Sequence, residues 1–115
     1  MTESLRTTLV SALRSAGVSL ILSEAETKVY PFVTYEMTVN PIRDKDGIHG
    51  FTGLTTIRVV SDDTDEADQI RTIVEEAIEA SMRNDTYSNR LTAIDKDCLD
   101  GVWTIELSYT FRQIQ

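Results

Sequence analysis

The passage TTIRVVSDDTDEADQIRTIVEEAIEA, residues 55 to 80, contains the end of one predicted element and most of the next. Its first residues are largely β-branched, which is typical of a strand. Asp63 and Glu66 then have the spacing of a helix capping box. A stripe of apolar and small residues follows at helical spacing: Ala67, Ile70, Val74, Ala77, Ile78 and Ser81. The passage therefore predicts a strand that leads into a helix over about residues 64 to 83.

The opposite side of this helix is acidic, and we call it the acidic helix face: Asp68, Glu75, Glu76 and Glu79. Residues 61–82 hold eight acids against Arg71, a local charge of −7 in a chain whose net charge is −8. Acids near a helix start usually cap the helix and suit its dipole, so we expect no magnesium site there. The chain also lacks the basic surface expected of a nucleic-acid binder.

The segment before this passage begins with a predicted helix. TESLRTTLVSALRSAG, residues 2 to 17, has Thr2 as a candidate N-cap and Gly17 at the usual end position. Its residues at helical spacing are Leu5, Leu9, Leu13 and Ala16. VSLILS, residues 18 to 23, then predicts a short buried strand, and residues 24–28 predict a polar link.

A hairpin is predicted next. Residues 32–40 alternate cleanly, with one face formed by Val33, Tyr35, Met37 and Val39. The strand pattern resumes in LTTIRVV at residue 54, so the link is roughly ten residues long, beyond the two to five of ordinary hairpin loops. We therefore predict an extended hairpin arm at about residues 41–53.

The end of the chain predicts a second hairpin. A strand near residues 90–94 and a turn through residues 97–101 lead to a long closing strand. One face of that strand contains Trp103, Ile105, Leu107, Tyr109 and Phe111. We predict one α+β domain over residues 1–115, with two helices on one face of a mostly antiparallel sheet of about five strands, in the order α-β-β-β-α-β-β.

The arm predicts no metal or phosphate site. When Gly47 is aligned with the turn glycine of a calcium loop, Ile42 and Gly53 fall at the first and last ligand positions, where carboxylates are needed. Whether Asp44 and Asp46 hold a cation weakly stays open. The arm's glycines precede a strand and no G-K-[ST] sequence, so they do not form a phosphate loop.

Catalytic chemistry is not predicted either. His49 has no recognisable catalytic partner, and Cys98 is the sole cysteine, which excludes an internal disulfide and a cysteine-based zinc cage. No segment has the length and apolar character of a signal peptide or a membrane span. We therefore expect no enzyme, no metal, no cofactor and no membrane contact.

With these elements in order, the chain resembles the tail terminator or tail completion proteins of long-tailed bacteriophages and prophages. The resemblance lies in KVYPFVTYEMTV, in the strand-helix junction at residues 59–67, and in the closing WTIELSYTFRQ. It implies a hexameric ring that caps the tail tube, stops its polymerisation and provides the head-joining surface. The implied partners are the tail tube protein and a head-completion or connector protein. The implied location is the virion tail, with assembly in the bacterial host cytoplasm.

In such a ring the arm is expected to be flexible in the free subunit and to dock on a neighbour through Ile42, Ile48 and Phe51. DNA passing through the ring needs a lumen that does not hold phosphates, and an acidic face suits that need. Two alternatives stay open. One is another head-tail connector or tube subunit, and the other is a small α+β ligand-binding or regulatory domain with a deep apolar pocket under the second helix.

Overall fold

The computed structural model describes residues 2–22 and 29–114. It contains α1 (Leu5–Ser15), β1 (Phe32–Asp44), β2 (Gly47–Ser61), α2 (Thr64–Ser81), β3 (Tyr87–Leu99) and β4 (Val102–Ile114). The strands form one sheet in the order β1-β2-β4-β3, and each neighbouring pair is antiparallel. The predicted α+β class is confirmed. The described residues contain four strands in the order α-β-β-α-β-β, so the prediction of about five was wrong.

The missing strand is the one predicted at residues 18–23. Within residues 18–22, the described part of this segment, Leu20 alone bridges β1, in parallel with Val33. The amide of Ile21 donates to the carbonyl of Val33, and the amide of Val33 donates to the carbonyl of Ser19, each at 2.8 Å. This single bridge is too short to count as a strand. The polar link predicted at residues 24–28 lies outside the described residues.

The loop predicted between β1 and β2 is also corrected. The two strands stay paired to Asp44 and Gly47, so only Lys45 and Asp46 form the turn. The amide of Asp46 donates to Oδ1 of Asp44 at 2.7 Å, and Gly47 has a φ of 118°. Pairing shifts after Ile42, where one extra residue on β2 forms a bulge.

Helix α1 begins later than predicted, because the N-cap position belongs to Ser4 and not to the predicted Thr2. Ser4 occupies the N-cap position without a side-chain cap bond. The buried Gln113 of β4 stabilises this end instead: its Oε1 accepts from the amide of Ser4 at 3.0 Å, and its Nε2 donates to the carbonyl of Thr2 at 3.1 Å. Gly17 follows the helix with a φ of 82°, as the sequence predicted.

Helix α2 begins as its sequence predicts. The Asp63 carboxylate accepts from the amides of Asp65 and Glu66, at 2.9 and 3.2 Å. In a capping box the Glu66 side chain would also accept from the amide of Asp63. Here the hydroxyl of Ser61 lies between these two groups. It donates to Glu66 at 2.8 Å and accepts from the amide of Asp63 at 3.1 Å.

Strand β3 is longer than the predicted residues 90–94, and its turn to β4 contains only Asp100 and Gly101. Both turn residues have positive φ, 52° and 78°, as in a tight two-residue hairpin. The closing strand β4 was predicted correctly, and the inward side chains of Ile105, Leu107 and Phe111 are almost completely buried.

The core lies between the helices and one face of the sheet. Its fully buried members include Leu5, Leu9, Leu13, Ile57, Val59, Val74, Ile78, Met82, Leu107 and Phe111. Burying each aliphatic side chain contributes about 1.5–3 kcal/mol. The other face of the sheet, which we call the open face, is not covered by any described helix.

Candidate assembly surfaces

The arm is a two-stranded ribbon rather than a loop. Strand β4 ends at Ile114, which pairs with Gly50, so the tips of β1 and β2 extend past the rest of the sheet. Across the ribbon, Nε2 of His49 lies 2.8 Å from Oδ1 of Asp44. The same carboxylate oxygen also accepts from the turn, as described above. The Asp44 carboxylate therefore bonds to groups of the ribbon itself. No cluster of three or more His, Cys, Asp or Glu residues that could hold a metal ion occurs in the described part of the chain.

The three predicted docking residues of the arm lie in different environments. Phe51 is only 9% exposed and belongs to the core, so its side chain contributes to the fold of the subunit. Ile48 is half-buried and packs against the core. Ile42 is half-buried and lies opposite Gly50, whose other neighbour is the partly exposed Ile114. The sequence pattern missed Ile114, because only the strand register places it in the same row as Ile42.

The acidic helix face is partly neutralised within the chain. Asp68 lies 3.1 Å from Nζ of Lys96, and Glu75 lies 3.6 Å from Arg71. Glu79 pairs with Arg83. Among the described residues, Glu76 makes no ion pair and is exposed. Lys96 also lies 5.0 Å from the centre of the Trp103 ring, a cation-π distance.

An acidic groove runs between α2 and the β3 edge, lined by Glu75, Glu76, Glu79, Arg83, Asn89, Arg90, Leu91 and Tyr109. Burial raises the pKa of Tyr109 to about 12, and the nearby charges of Glu75 and Glu79 add to the rise. Nearby anions disfavour the phenolate. The phenol of Tyr109 is therefore neutral at physiological pH and is not a base.

A basic groove lies on the opposite edge of the same layer, between α1 and β1. Its lining residues are Arg6, Thr7, Val10, Ser11, Arg14, Ser15 and Tyr35. Arg6 pairs with Glu3 at 3.2 Å and donates to the carbonyl of Met37 at 3.3 Å. Arg14 is exposed and makes no ion pair within the described residues. Sequence analysis did not single out these arginines, because only the fold places them on one surface.

The open face is rich in hydroxyl groups, supplied by Thr34, Thr38, Thr52, Thr56, Thr104, Ser108 and Thr110. Leu54 and Arg112 are also exposed on this face. Arg58 lies near its centre. Its side chain is 3.1 Å from the Glu106 carboxylate and 3.4 Å from that of Glu36. The arginine is thus held between two carboxylates.

Under α2, among the described residues, the space is filled by packed core side chains that include Val74 and Ile78. A cleft of about 290 Å³ lies instead at the junction of α1, α2 and the start of β1, lined in part by Val18, Phe32, Ile70 and Ile73. Its volume is at the lower end of the range for small-molecule sites. Cys98 is exposed on the β3 edge, away from His49 in the arm. Neither described helix could span a membrane.

No protein-family model matches this chain, and no curated protein matches its sequence. Among solved structures, the chain is similar to one in "Virion of native gene transfer agent (GTA) particle", with a TM-score of 0.74 and 15% sequence identity. The similarity covers 96% of this chain and 95% of that chain. It therefore extends over the whole fold, including both helices and the sheet.

Proposed function

We propose that this chain is a structural protein of a phage-like virion rather than an enzyme. The observation that carries the proposal is the likeness over 96% of the chain to a component of a gene transfer agent virion. The sequence resemblance to tail terminators points in the same direction. More specifically, the chain forms a ring, a hexamer by that resemblance, which caps the tail tube, stops its polymerisation and provides the head-joining surface.

The surfaces of the subunit support this role. Strands β1 and β3 are the two edges of the sheet, and among the described residues no further strand pairs with the outer side of either. Such edges can pair with another chain. The molecule measures 52 Å along its longest axis against 27 and 24 Å in the other directions, and the arm lies at one end of β1 and β2. Ile42 and Ile48 are its half-buried apolar residues, and we propose that they dock on a neighbouring subunit or on the tube.

The open face suits the lumen of such a ring better than the acidic helix face does. Three of the four carboxylates of the helix face are already paired with cations of the same chain. On the open face, Glu36 and Glu106 hold Arg58, so its charge is not free to bind phosphates. With its hydroxyl groups and with Arg58 neutralised, the open face has less free positive charge than a basic lumen would have, so it should hold DNA less strongly.

Light scattering over a concentration series, with and without tail tubes, tests the proposal. We expect masses near six times 12.9 kDa at high concentration or on the tubes, and tubes that stop growing when the protein is added. A protein that stays monomeric in both conditions and leaves tube growth unchanged would contradict the proposed role.

A further inference from the structure

We propose that adjacent subunits join by a charge-complementary seam, in which the basic groove of one copy meets the acidic groove of the next. The inference rests on the proposed ring and names the surfaces that form it. The occupant of each groove is thus a second copy of this chain.

The first argument is the charge of the two helices. Helix α1 contains Arg6 and Arg14 and no acid. Helix α2 contains six acids and one arginine. Each helix therefore has a clear excess of one sign, and the signs are opposite. Two basic grooves, or two acidic grooves, would bring charges of the same sign together. Pairing of two copies through identical grooves is therefore disfavoured.

The second argument is the position of the grooves. The basic groove includes Tyr35 of β1, and the acidic groove includes Leu91 of β3. These are the two edge strands of the sheet. Because α1 and α2 pack on the same face, the grooves lie on opposite sides of one layer. One copy can therefore use both grooves at once, each with a different neighbour.

The third argument is the direction of the edge strands. Three successive antiparallel pairings make β1 and β3 run in opposite directions. When a copy is rotated about an axis parallel to the strands, its β3 edge comes beside the β1 edge of its neighbour in antiparallel orientation. The basic and acidic grooves then meet on the same side of the seam. Such head-to-tail contacts close into a ring when the rotation permits.

Arg14 of the basic groove and Glu76 of the acidic groove are exposed and make no ion pair among the described residues, and the same is true of Arg90. Arg90 also lines the acidic groove, so the carboxylates there outnumber the arginines by only three to two. The proposed seam brings a groove with an excess of arginines against a groove with an excess of carboxylates. Reversing the charges of one groove would place like charges on both sides of the seam.

Charge reversal in two separate variants tests the seam. One variant carries Arg6→Glu and Arg14→Glu, and the other carries Glu76→Arg and Glu79→Arg. Each alone is expected to associate on the order of tenfold or more weakly than the wild type, because like charges then face each other. Arg112→Glu is the control for a single charge reversal outside both grooves, since Arg112 lies on the open face and is exposed.

Mixing the two variants in equal amounts gives the sharper result. The glutamates introduced in the first variant then face the arginines introduced in the second. At the next seam, the unchanged basic groove of the second variant faces the unchanged acidic groove of the first. Assembly should return, with the two variants alternating in a ring of even subunit number, as native mass spectrometry would show. Restoration also demonstrates that both variants are folded. Wild-type association should weaken as salt rises, because exposed charges are screened.

Variants that assemble alone as well as the wild type would overturn the seam, and so would a mixture that stays apart while both components keep the wild-type circular dichroism. A wild-type ring that is insensitive to salt would overturn it as well. In these cases the ring formed by the wild type leaves the proposed function standing. A wild type that forms no ring, alone or with tail tubes, would instead remove the proposed function and the seam together.

Discussion

Thr55 places a hydroxyl in the core where an apolar group would fit. The residue is 4% exposed, and its Oγ1 is the buried side-chain atom without a hydrogen-bond partner among the described residues. A buried hydroxyl without a partner costs about 1–3 kcal/mol. Valine has nearly the same shape without the hydroxyl. Thr55→Val should therefore raise the free energy of unfolding by about 1 kcal/mol in urea titrations.

Thr56→Val is the matched control, because Thr56 is half-buried on the open face of the same strand. Its effect should stay within about 0.5 kcal/mol. A Thr55→Val protein that is less stable than the wild type would mean that the hydroxyl has a partner in solution.

Tyr109 links the stability of the fold to alkaline pH. Its pKa is about 12 in the folded chain, raised first by burial and then by Glu75 and Glu79, against about 10 in an unfolded chain. Between these values the unfolded chain releases the phenolic proton and the folded chain keeps it. Stability is thus full below pH of about 10 and falls as the pH rises toward 12, by at most about 1.4 kcal/mol per pH unit.

Tyr109→Phe should remove this part of the decline, since phenylalanine has no proton to lose. Urea titrations at several alkaline pH values would compare the two proteins, because lysine titration contributes equally to both. Equal slopes of stability against pH in the two proteins would mean that Tyr109 ionises normally.

The glycines of the arm show where residue types alone mislead. Gly47 has the positive φ that the turn requires. A Cβ at Gly50 would collide with the backbone carbonyl of Gln113 in β4, and one at Gly53 would press on Leu5 and Met37. The sequence pattern placed all three glycines in an unpaired link, yet all three allow tight geometry within paired strands or their turn. Their neighbours in space are distant in sequence, so the pattern could not distinguish these roles.

At the scale of elements, local signals predicted α2 and β4 well. The amides at the start of a helix and the side chains that accept from them are neighbours in sequence. The spacing of Asp63 and Glu66 therefore predicted the start of α2 correctly. Strand β3 was predicted too short because, after its bulge near Thr92, every residue to Leu99 is exposed. An edge strand held by backbone pairing has no apolar alternation for a pattern to detect. In the arm, Pro41 and the polar turn residues likewise interrupt the apolar alternation, so the pattern did not predict that the arm is paired.

The helix cap at Asp63 gives a prediction at this scale. Asp63→Ala removes the acceptor of two amide hydrogen bonds at the start of α2 and should destabilise the protein by about 0.5–2 kcal/mol. Asp62→Ala is the control, because Asp62 is its exposed neighbour outside the helix and loses the same charge. Denaturant titrations would contradict the assignment if the two variants shifted the midpoint equally.

The arm yields a prediction about dynamics. Its backbone is paired, but beyond Gly50 it has no third strand beside it, and an isolated ribbon is only marginally stable. Amides of residues 41–49 in the free subunit should therefore exchange with deuterium faster than those of β4 and slow down on assembly. Equal protection of the arm and of β4 in the free subunit would contradict this.

Shortening the arm tests its proposed docking role. Asn-Gly in place of residues 43–49 joins Ile42 to Gly50, which already face each other, through a turn suited to a two-residue hairpin. The protein should still fold, with a loss of melting temperature limited to the contact of Ile48 with the core, while ring formation or tail capping is lost. Normal capping by the shortened protein would show that the arm does not dock.

At the scale of the whole molecule, the fold separates three kinds of surface. The helix layer has opposite charges at its two edges, the sheet has two edge strands in opposite directions, and the open face keeps its central arginine between carboxylates. The sequence showed the acidic excess of α2 but not its basic counterpart, because α1 and α2 are brought to opposite edges only by the sheet order. In the proposed ring, the seams lie at the edges and the open face lines the channel.

The channel leads to the last prediction. Glu36→Gln with Glu106→Gln keeps oxygen acceptors for Arg58 but removes both negative charges, so each ring subunit gains one free cation toward the channel. This protein should bind DNA more tightly than the wild type, with an affinity that falls as salt rises. Asp62→Asn with Asp65→Asn changes the net charge equally at the start of α2, away from the open face. Filter binding over a salt series should show a gain in DNA affinity over the wild type only in the first variant. Equal gains in both would mean that net charge, and not the carboxylates beside Arg58, limits DNA binding.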